Sequence, residues 1–314
     1  PDVRTPSNPP EENQTNSRVA PARHDHLLVT MSNSADPATR RSAIQGIAKS
    51  KDTDDIDIVF RALSDRDPDV RKAAQDAIES IGTETVFGLV MQALSEAVPK
   101  TPPKSVDAAL PYLTRALEAK MLEILDKTEE IPVRKKVAAH CLGRMRSRTA
   151  IPSLTKLAWS PDQAMAIVAS RALLDIGDDA AFDSFRGLIK HPVPEVRWAA
   201  LQGISRTGGP ETTTMLSGAA LGSTETNLEL RKRATILLGK SNDPAAIPYL
   251  IEVLRSQSPL RSEALTALRT LTGLDAGGDA YSWIEWYRGT QKPPATRPAP
   301  ANASAATDEP PRKQ

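Results

Sequence analysis

A helical motif recurs about every 31 residues along this chain, and no other feature of the sequence restricts the fold as strongly. Two copies define it, DPDVRKAAQDAIESIG from Asp67 and PEVRWAALQGISRTG from Pro194. We take the position of the basic residue in the middle of the motif as the anchor of each copy. The anchors are Arg40, Arg71, Lys135, Ala166, Arg197, Arg231 and Arg261. Such a repeat predicts a stack of similar units rather than one globular core.

Each copy carries the same residue types at fixed distances from its anchor. The third residue after every anchor is alanine (Ala43, Ala74, Ala138, Ala169, Ala200, Ala234, Ala264), and the seventh is Ile or Leu (Ile47, Ile78, Leu142, Leu173, Ile204, Leu238, Leu268). These two offsets share one face of a helix with about 3.6 residues per turn. Apolar pairs further on, such as Ile56 with Val59, mark a second helix. Each unit is therefore predicted to be a helical hairpin.

The motif resembles HEAT repeats of the short bacterial type, first associated with phycobilisome lyases; it reads DPDVRKAAQDAIESIG, and LRKRATILLGKSNDPAAIPYL from Leu230. The resemblance covers roughly residues 23–290. It implies an all-α fold, a right-handed α-α superhelix (HEAT-like solenoid) of about eight helical hairpins. It also implies a hydrogen-bonded ladder between repeats, with Asp67 beside Arg71 and Asp36 beside Arg40. The implied ladder residues are Asp36, Arg40, Asp67, Arg71, Arg197, Arg231 and Arg261.

Residues outside the regular repeats predict three further regions. Residues 1–22 and 291–314 are rich in Pro, Ala, Ser and charge without periodicity, so we expect disordered tails. Residues 98–130 contain a Pro-rich loop and a helical run from about Leu110, which predicts a degenerate repeat or an inserted helix. A C-terminal cap is expected at 274–289, where an aromatic cap is the first interpretation and a ligand-stacking platform the second. Its aromatic residues are Trp283, Trp286 and Tyr287.

The composition excludes several classes of function. Forty Lys and Arg against 39 Asp and Glu give a formal net charge of +1, which disfavours a general nucleic-acid coat. No apolar stretch is long enough for a membrane span. The compartment stays open, either cytoplasmic or exported if a signal preceded Pro1, and we expect a monomer.

Candidate catalytic and metal-binding residues are few. The four histidines are His24, His26, His140 and His191, and none is followed by Glu as in the di-iron hydroxylase of the HEAT-repeat class. His140 and Cys141 are adjacent, so they point about 100° apart on a helix and do not suit a nucleophile and base. We predict that Cys141 is a small packing residue and that the chain has no cofactor or metal.

The helix face opposite the alanine stripe is the predicted partner-binding surface, which in the family lines the concave side. Its expected contacts are Arg41, Lys72, Lys136, His140, Arg171, Trp198 and Lys232. This composition predicts a non-enzymatic scaffold for an acidic or amphipathic segment of another protein. The alternatives are ordinary solvated helix positions, an enzyme or enzyme accessory of the bilin-lyase or DNA-glycosylase type, and nucleic-acid binding. The last would use six basic residues within 131–150.

Overall fold

The computed structural model describes residues 26–50, 53, 55–97, 104–113, 115–207, 210–256 and 259–291. These residues form seventeen α-helices and three 3-10 helices, with no strand among them. The predicted all-α fold is thereby confirmed. The chain divides into two compact units, Pro1–Ser147 and Arg148–Gln314. The predicted tails, apart from Gln291, lie outside the described residues.

The first unit contains eight α-helices and one 3-10 helix. These are α1 His26–Ser32, α2 Pro37–Ser50, α3 Ile56–Ala62, α4 Pro68–Ile81, α5 Thr83–Ala97, α6 Lys104–Ala109, the 3-10 helix Leu110–Tyr112, α7 Arg115–Asp126 and α8 Pro132–Arg144.

The second unit contains nine α-helices and two 3-10 helices. These are the 3-10 helix Arg148–Ala150, α9 Ile151–Ala158, α10 Gln163–Ile176, the 3-10 helix Asp179–Ala181, α11 Phe182–Leu188, α12 Pro194–Thr207, α13 Pro210–Leu221, α14 Leu228–Lys240, α15 Ala246–Arg255, α16 Arg261–Thr272 and α17 Ala280–Gln291. Within the described part of the chain, no helix combines the length and apolarity needed to cross a membrane.

Capping residues explain where the repeat helices begin and end. The Asp67 carboxylate accepts hydrogen bonds from the Asp69 and Val70 amides, and Pro68 occupies the first turn, where its missing N–H costs nothing. Asp162 caps α10 in the same way. That helix ends at Gly177, whose φ of 63° lies in the left-handed region that suits glycine.

The stripe predicted from the repeat forms the core of both units. All seven alanines three residues after the anchors have no exposed surface, and the Ile and Leu residues seven after the anchors are also buried. The small alanines allow neighbouring first helices to approach closely. At Gly239 the approach is close, since a methyl group added there would lie 2.6 Å from the Ala267 Cα. Close packing of this kind makes the spacing of α14 and α16 sensitive to one carbon atom.

In the second unit the helices pack in a regular order. The first helices α10, α12, α14 and α16 pack one against the next, and each is also covered by the second helix that precedes it. The last helix, α17, packs against α15. On α17, Trp283 is fully buried and donates from Nε1 to the Gly277 carbonyl at 2.9 Å, while Trp286 and Tyr287 are half-exposed.

The order of packing changes between α3 and α8 of the first unit. Here α6 packs against α3, a second helix of the repeat, while α5 packs against α8, a first helix. The helical run predicted from Leu110 does not form as one helix. Pro111 instead lies in a 3-10 turn, and α7 begins only at Arg115. Pro111 also prevents α6 from continuing as one helix into α7, because proline lacks the N–H donor that a helix interior requires.

Candidate functional site

Three anchor arginines bind the loop that precedes their own helix. Arg40 donates from one guanidinium nitrogen to the Ser34 and Ala35 carbonyls, at 2.9 and 3.0 Å. The same bonds recur from Arg71 to the carbonyls of residues 65 and 66, and from Arg197 to those of residues 191 and 192. In all three copies the acceptors stand six and five residues before the anchor. The guanidinium therefore fixes the loop between consecutive hairpins.

Two of these arginines also bind a carboxylate of the next loop. Arg40 makes a two-pronged contact with Asp65 at 2.8 and 2.7 Å, and Arg197 makes one with Glu225 at 2.6 and 2.9 Å. The hydrogen bonds from Arg40 hold the pKa of Asp65 below its ordinary value. Burial raises the pKa of Glu225, but the bonds from Arg197 and from the Asn227 amide outweigh burial and lower that pKa overall.

The ladder pairing implied by the resemblance is wrong in its acidic partners. Asp36 and Asp67 were expected beside Arg40 and Arg71, but both carboxylates accept first-turn amides as helix caps. A carboxylate four residues before the anchor caps the helix of its own repeat. A carboxylate six residues before the anchor instead pairs with the anchor arginine of the preceding repeat. Asp65 and Glu225 share that second position, and this shared offset was the sequence signal that identifies them.

The remaining two ladder arginines bind other carbonyls. Arg231 donates to the Ala220 and Leu221 carbonyls at 3.2 and 3.3 Å, and Arg261 donates to the Gly278 carbonyl. Ala220 and Leu221 are the last two residues of α13, so Arg231 binds a helix end rather than the loop before its own helix. All five predicted ladder arginines thus bind backbone carbonyls, four of them in loops.

The second unit places three predicted partner-binding residues on successive first helices. Arg171 is exposed on α10, Trp198 is half-exposed on α12, and Lys232 lies on α14. The Arg233 guanidinium lies 4.9 Å from the centre of the Trp198 ring, and Ile236, one turn further along α14, is 41% exposed. We call Arg171, Trp198, Lys232, Arg233 and Ile236 the Trp198 surface. The sequence analysis did not identify Arg233, because this residue stands two positions after its anchor and the predicted partner-binding residues stand one or five positions after theirs.

Acidic side chains of the repeat pair with the two cations that α14 contributes to the Trp198 surface. Lys232 Nζ lies 3.7 Å from Glu263 on α16, and Arg233 Nε donates to Glu229 at 3.1 Å. Both pairs are partly solvated, so each contributes little to stability. An acidic group that replaces Glu229 or Glu263 as the partner of these cations therefore has little interaction energy to overcome.

The first unit distributes the other predicted residues differently. Arg41 lies 3.6 Å from Asp69 of the next first helix, Lys72 is exposed on α4, and Lys136 is half-exposed on α8. His140 Nε2 lies 2.8 Å from the Asp107 carboxylate of α6. Of these four residues, His140 helps to hold α6 against α8. None of the four is a tryptophan, tyrosine or phenylalanine that would correspond to Trp198.

Carboxylates neutralise several of the basic residues within 131–150. Arg134 pairs with Glu130 at 3.0 Å, Arg144 lies 3.3 Å from Asp107, and Arg148 pairs with Asp178. Paired cations release fewer counterions on binding to a phosphate backbone than free ones. The local excess of basic residues in the sequence therefore overstates the positive charge available there.

Cys141 lies in the core of α8. Its side chain is fully buried, and burial raises the pKa of the thiol far above its ordinary value. The thiolate that nucleophilic catalysis needs is therefore disfavoured at this position. Among the residues that the structure describes, no three His, Cys, Asp or Glu side chains are grouped as metal ligands would be.

Solved structures similar to this chain are related to it at low identity. The complex of CpcE and CpcF of phycocyanin lyase from Nostoc sp. PCC7120 is 18% identical, covering 89% of this chain and 99% of that chain, with a TM-score of 0.31. An engineered protein is 20% identical, covering 83% and 81%, with a TM-score of 0.37. YibA of Escherichia coli is 15% identical, covering 80% and 93%, with a TM-score of 0.39.

The family comparison is more direct. The model of HEAT repeats matches residues 25–110, 159–226 and 187–269, which is more than half of the chain. No curated protein matches it in sequence. The matched segments contain six of the seven anchors and both contacts from an anchor arginine to a carboxylate, Arg40 with Asp65 and Arg197 with Glu225. The chain belongs to the HEAT-repeat family.

Proposed function

We propose that this protein is a non-enzymatic scaffold that binds an acidic or amphipathic segment of another protein on the Trp198 surface. The observation that carries the proposal is the position of Trp198, half-exposed beneath the Arg233 guanidinium on neighbouring first helices. Tryptophan and arginine are the residue types most enriched among those that dominate interface energies. HEAT repeats commonly serve as protein-binding modules, and that general role agrees with the proposal.

The chemistry of the surface indicates the kind of partner. Trp198 and Ile236 offer apolar area, while Arg171, Lys232 and Arg233 supply positive charge around it. An amphipathic helix or extended segment with acidic residues would bury the apolar groups and compete with Glu229 and Glu263 for the cations. The partner's acidic groups would then replace Glu263 and Glu229 in ion pairs that are partly shielded from water. Such pairs favour specificity for a partner of matching charge.

Two alternatives find less support in the side chains that would serve them. An enzyme of the lyase or glycosylase type that uses a thiol nucleophile would need an accessible cysteine, but Cys141 is fully buried. Nucleic-acid binding through 131–150 would need accessible cations, and Arg134, Arg144 and Arg148 are paired.

Affinity capture from a native lysate of the source cells tests the proposal. The full chain is compared with the double variant Trp198→Ala/Arg233→Glu. Removing the aromatic anchor and reversing the neighbouring charge should lower recovery of a specific partner at least about tenfold, the effect expected for loss of more than about 1.4 kcal/mol. Helical circular dichroism first confirms that the variant is folded.

Arg255→Glu is the matched control, because it makes the same charge change at an exposed position of α15, a second helix. The partner should be recovered equally by the control and the unchanged chain. Equal recovery by the double variant would contradict the proposed binding surface. Recovery of nucleic acid alone, falling steeply with salt, would contradict the proposed class of partner.

A further inference from the structure

A further recessed surface lies in the loops of the second unit and borders the Trp198 surface, because Glu195 of its lining stands one turn before Trp198 on α12. A cleft of about 420 Å³ is formed by the loops that precede α10 and α12. Its lining residues are Trp159, Ser160, Pro161, Gln163, His191, Pro192, Val193, Pro194 and Glu195. The Trp159 side chain is 49% exposed, and its ring centre lies 4.9 Å from that of His191. We call this site the Trp159 cleft.

The repeat itself gives no reason for tryptophan at this position. Trp159 stands seven residues before its anchor position. The corresponding residues are Asn33, Ser64, Thr128, Lys190 and Thr224 in five other copies, and buried Leu254 in the last. The Trp159 indole packs on His191 on one side but leaves about half of its surface in water. The equivalent cleft in the first unit also has prolines in its lining, but it carries the charged residues Arg40, Asp65, Arg66 and Asp67 and no aromatic side chain.

His191 gives the cleft a neutral, oriented floor. Its ring is buried, and Nδ1 accepts the Val193 amide hydrogen at 3.1 Å. Burial lowers the pKa of His191, so the imidazole is neutral at pH 7 and carries its proton on Nε2. An indole and an imidazole flanked by three prolines form an apolar, aromatic wall. The sole charged lining residue is Glu195, on the first turn of α12.

We propose that the Trp159 cleft binds the proline-rich, basic stretch 292–300 of this chain, KPPATRPAP. Proline rings pack on exposed tryptophan, and grooves lined by aromatic residues recognise such segments because little conformational entropy is lost. The stretch carries four prolines, two cations and no acidic residue, which complements the apolar wall and the negative charge of Glu195. It follows directly after Gln291, the last residue of α17, in the same unit.

Fluorine NMR of the full chain tests this occupant directly. The chain is labelled with 5-fluorotryptophan, and the Trp159 resonance is assigned with Trp159→Phe. A full-length variant replaces Pro293, Pro294, Arg297, Pro298 and Pro300 by alanine. The Trp159 resonance should shift in this variant, and addition of a synthetic 292–300 peptide should move it back. The resonance of Trp283, which is fully buried, should not change.

Two cleft variants in the alanine-substituted chain measure the contributions of the wall and the charge. Trp159→Ala should weaken binding of the labelled 292–300 peptide about tenfold, and Glu195→Gln about threefold, with the second effect vanishing at high salt. A peptide of the same composition in scrambled order is the control for nonspecific attraction. An unchanged Trp159 resonance in the alanine-substituted chain would overturn the proposal, as would equal binding of the peptide by Trp159→Ala.

Discussion

The second unit from α10 to α16 and the first unit from α3 to α8 solve the same packing problem differently. In the second unit every first helix packs on the next, and Arg197 joins one loop to Glu225 of the following loop. In the first unit Arg71 binds its own loop, and α6 is instead held to α8 by Asp107 with His140 and Arg144. The ladder contact to the next loop therefore forms where that loop carries a carboxylate six residues before its anchor, as Asp65 and Glu225 do. Between α6 and α8, ion pairs between helix faces hold the packing.

The difference also separates structural from recognition residues. In the regular region the anchor arginines face the loops, which leaves Trp198 and its basic neighbours on the other face of the first helices. In the irregular region His140, at a comparable position, is used for packing. We infer that regular stacking frees one helix face for a partner. The following predictions test this contrast in order of decreasing expected effect.

Arg197→Ala should cause the largest loss of stability. The Arg197 and Glu225 side chains are only 14% and 3% exposed, so the substitution leaves a buried carboxylate without its cation. Breaking one partner of a buried pair costs about 3–5 kcal/mol. Urea unfolding followed by circular dichroism measures the loss. Arg255→Ala, which breaks an exposed pair, is the control and should change the midpoint little; equal effects of the two variants would contradict the ladder's structural role.

Gly239→Ala should cost about 1–3 kcal/mol through overpacking, because the new methyl group meets the Ala267 backbone. The same change at Gly88 of α5 meets no atom within 4 Å. There it should stabilise the protein by about 0.5–1 kcal/mol through helix propensity. Thermal unfolding of both variants measures the contrast. A stabilising effect at both glycines would show that α14 and α16 are not in tight contact.

Asp107→Asn should cost about 1 kcal/mol, the scale of one partly buried hydrogen bond, because α6 loses its charged contact with His140 and Arg144. The loss should be local. Hydrogen exchange should quicken in α6, with α10 and α12 unchanged. Faster exchange throughout the second unit would contradict the assignment of Asp107 to the irregular region alone.

The contribution of Glu225 should depend on pH. Its pKa is lower in the folded protein than in the unfolded chain, so the folded state binds fewer protons and the stabilisation is fully present above the unfolded value of about 4.3. It is lost as pH falls from there through the lower folded value. The difference in urea midpoint between the unchanged chain and Glu225→Gln should therefore shrink in this acidic range. A difference independent of pH would show that the charge of Glu225 is not responsible.

The sequence predicted what the period determines. Alanine and Ile or Leu at fixed offsets predicted the buried stripe in both units. Trp198 was predicted as a partner contact because it stands one residue after its anchor, on the face opposite that stripe. Contacts that depend on loop geometry were not predicted. Arg40 binds Asp65 rather than Asp36, and Pro111 ends a helix where a longer one was expected. Trp159 was missed because the offsets that were compared lay on helices, whereas its position lies in a loop.

Photo-crosslinking tests the central claim most directly. A benzoyl-phenylalanine residue replaces Ile236 on the Trp198 surface or, in the matched control, Tyr112 of the irregular region, which is similarly exposed at 44%. The account predicts that the captured partner is crosslinked from position 236 and not from position 112. Crosslinking from position 112 with none from position 236 would contradict it.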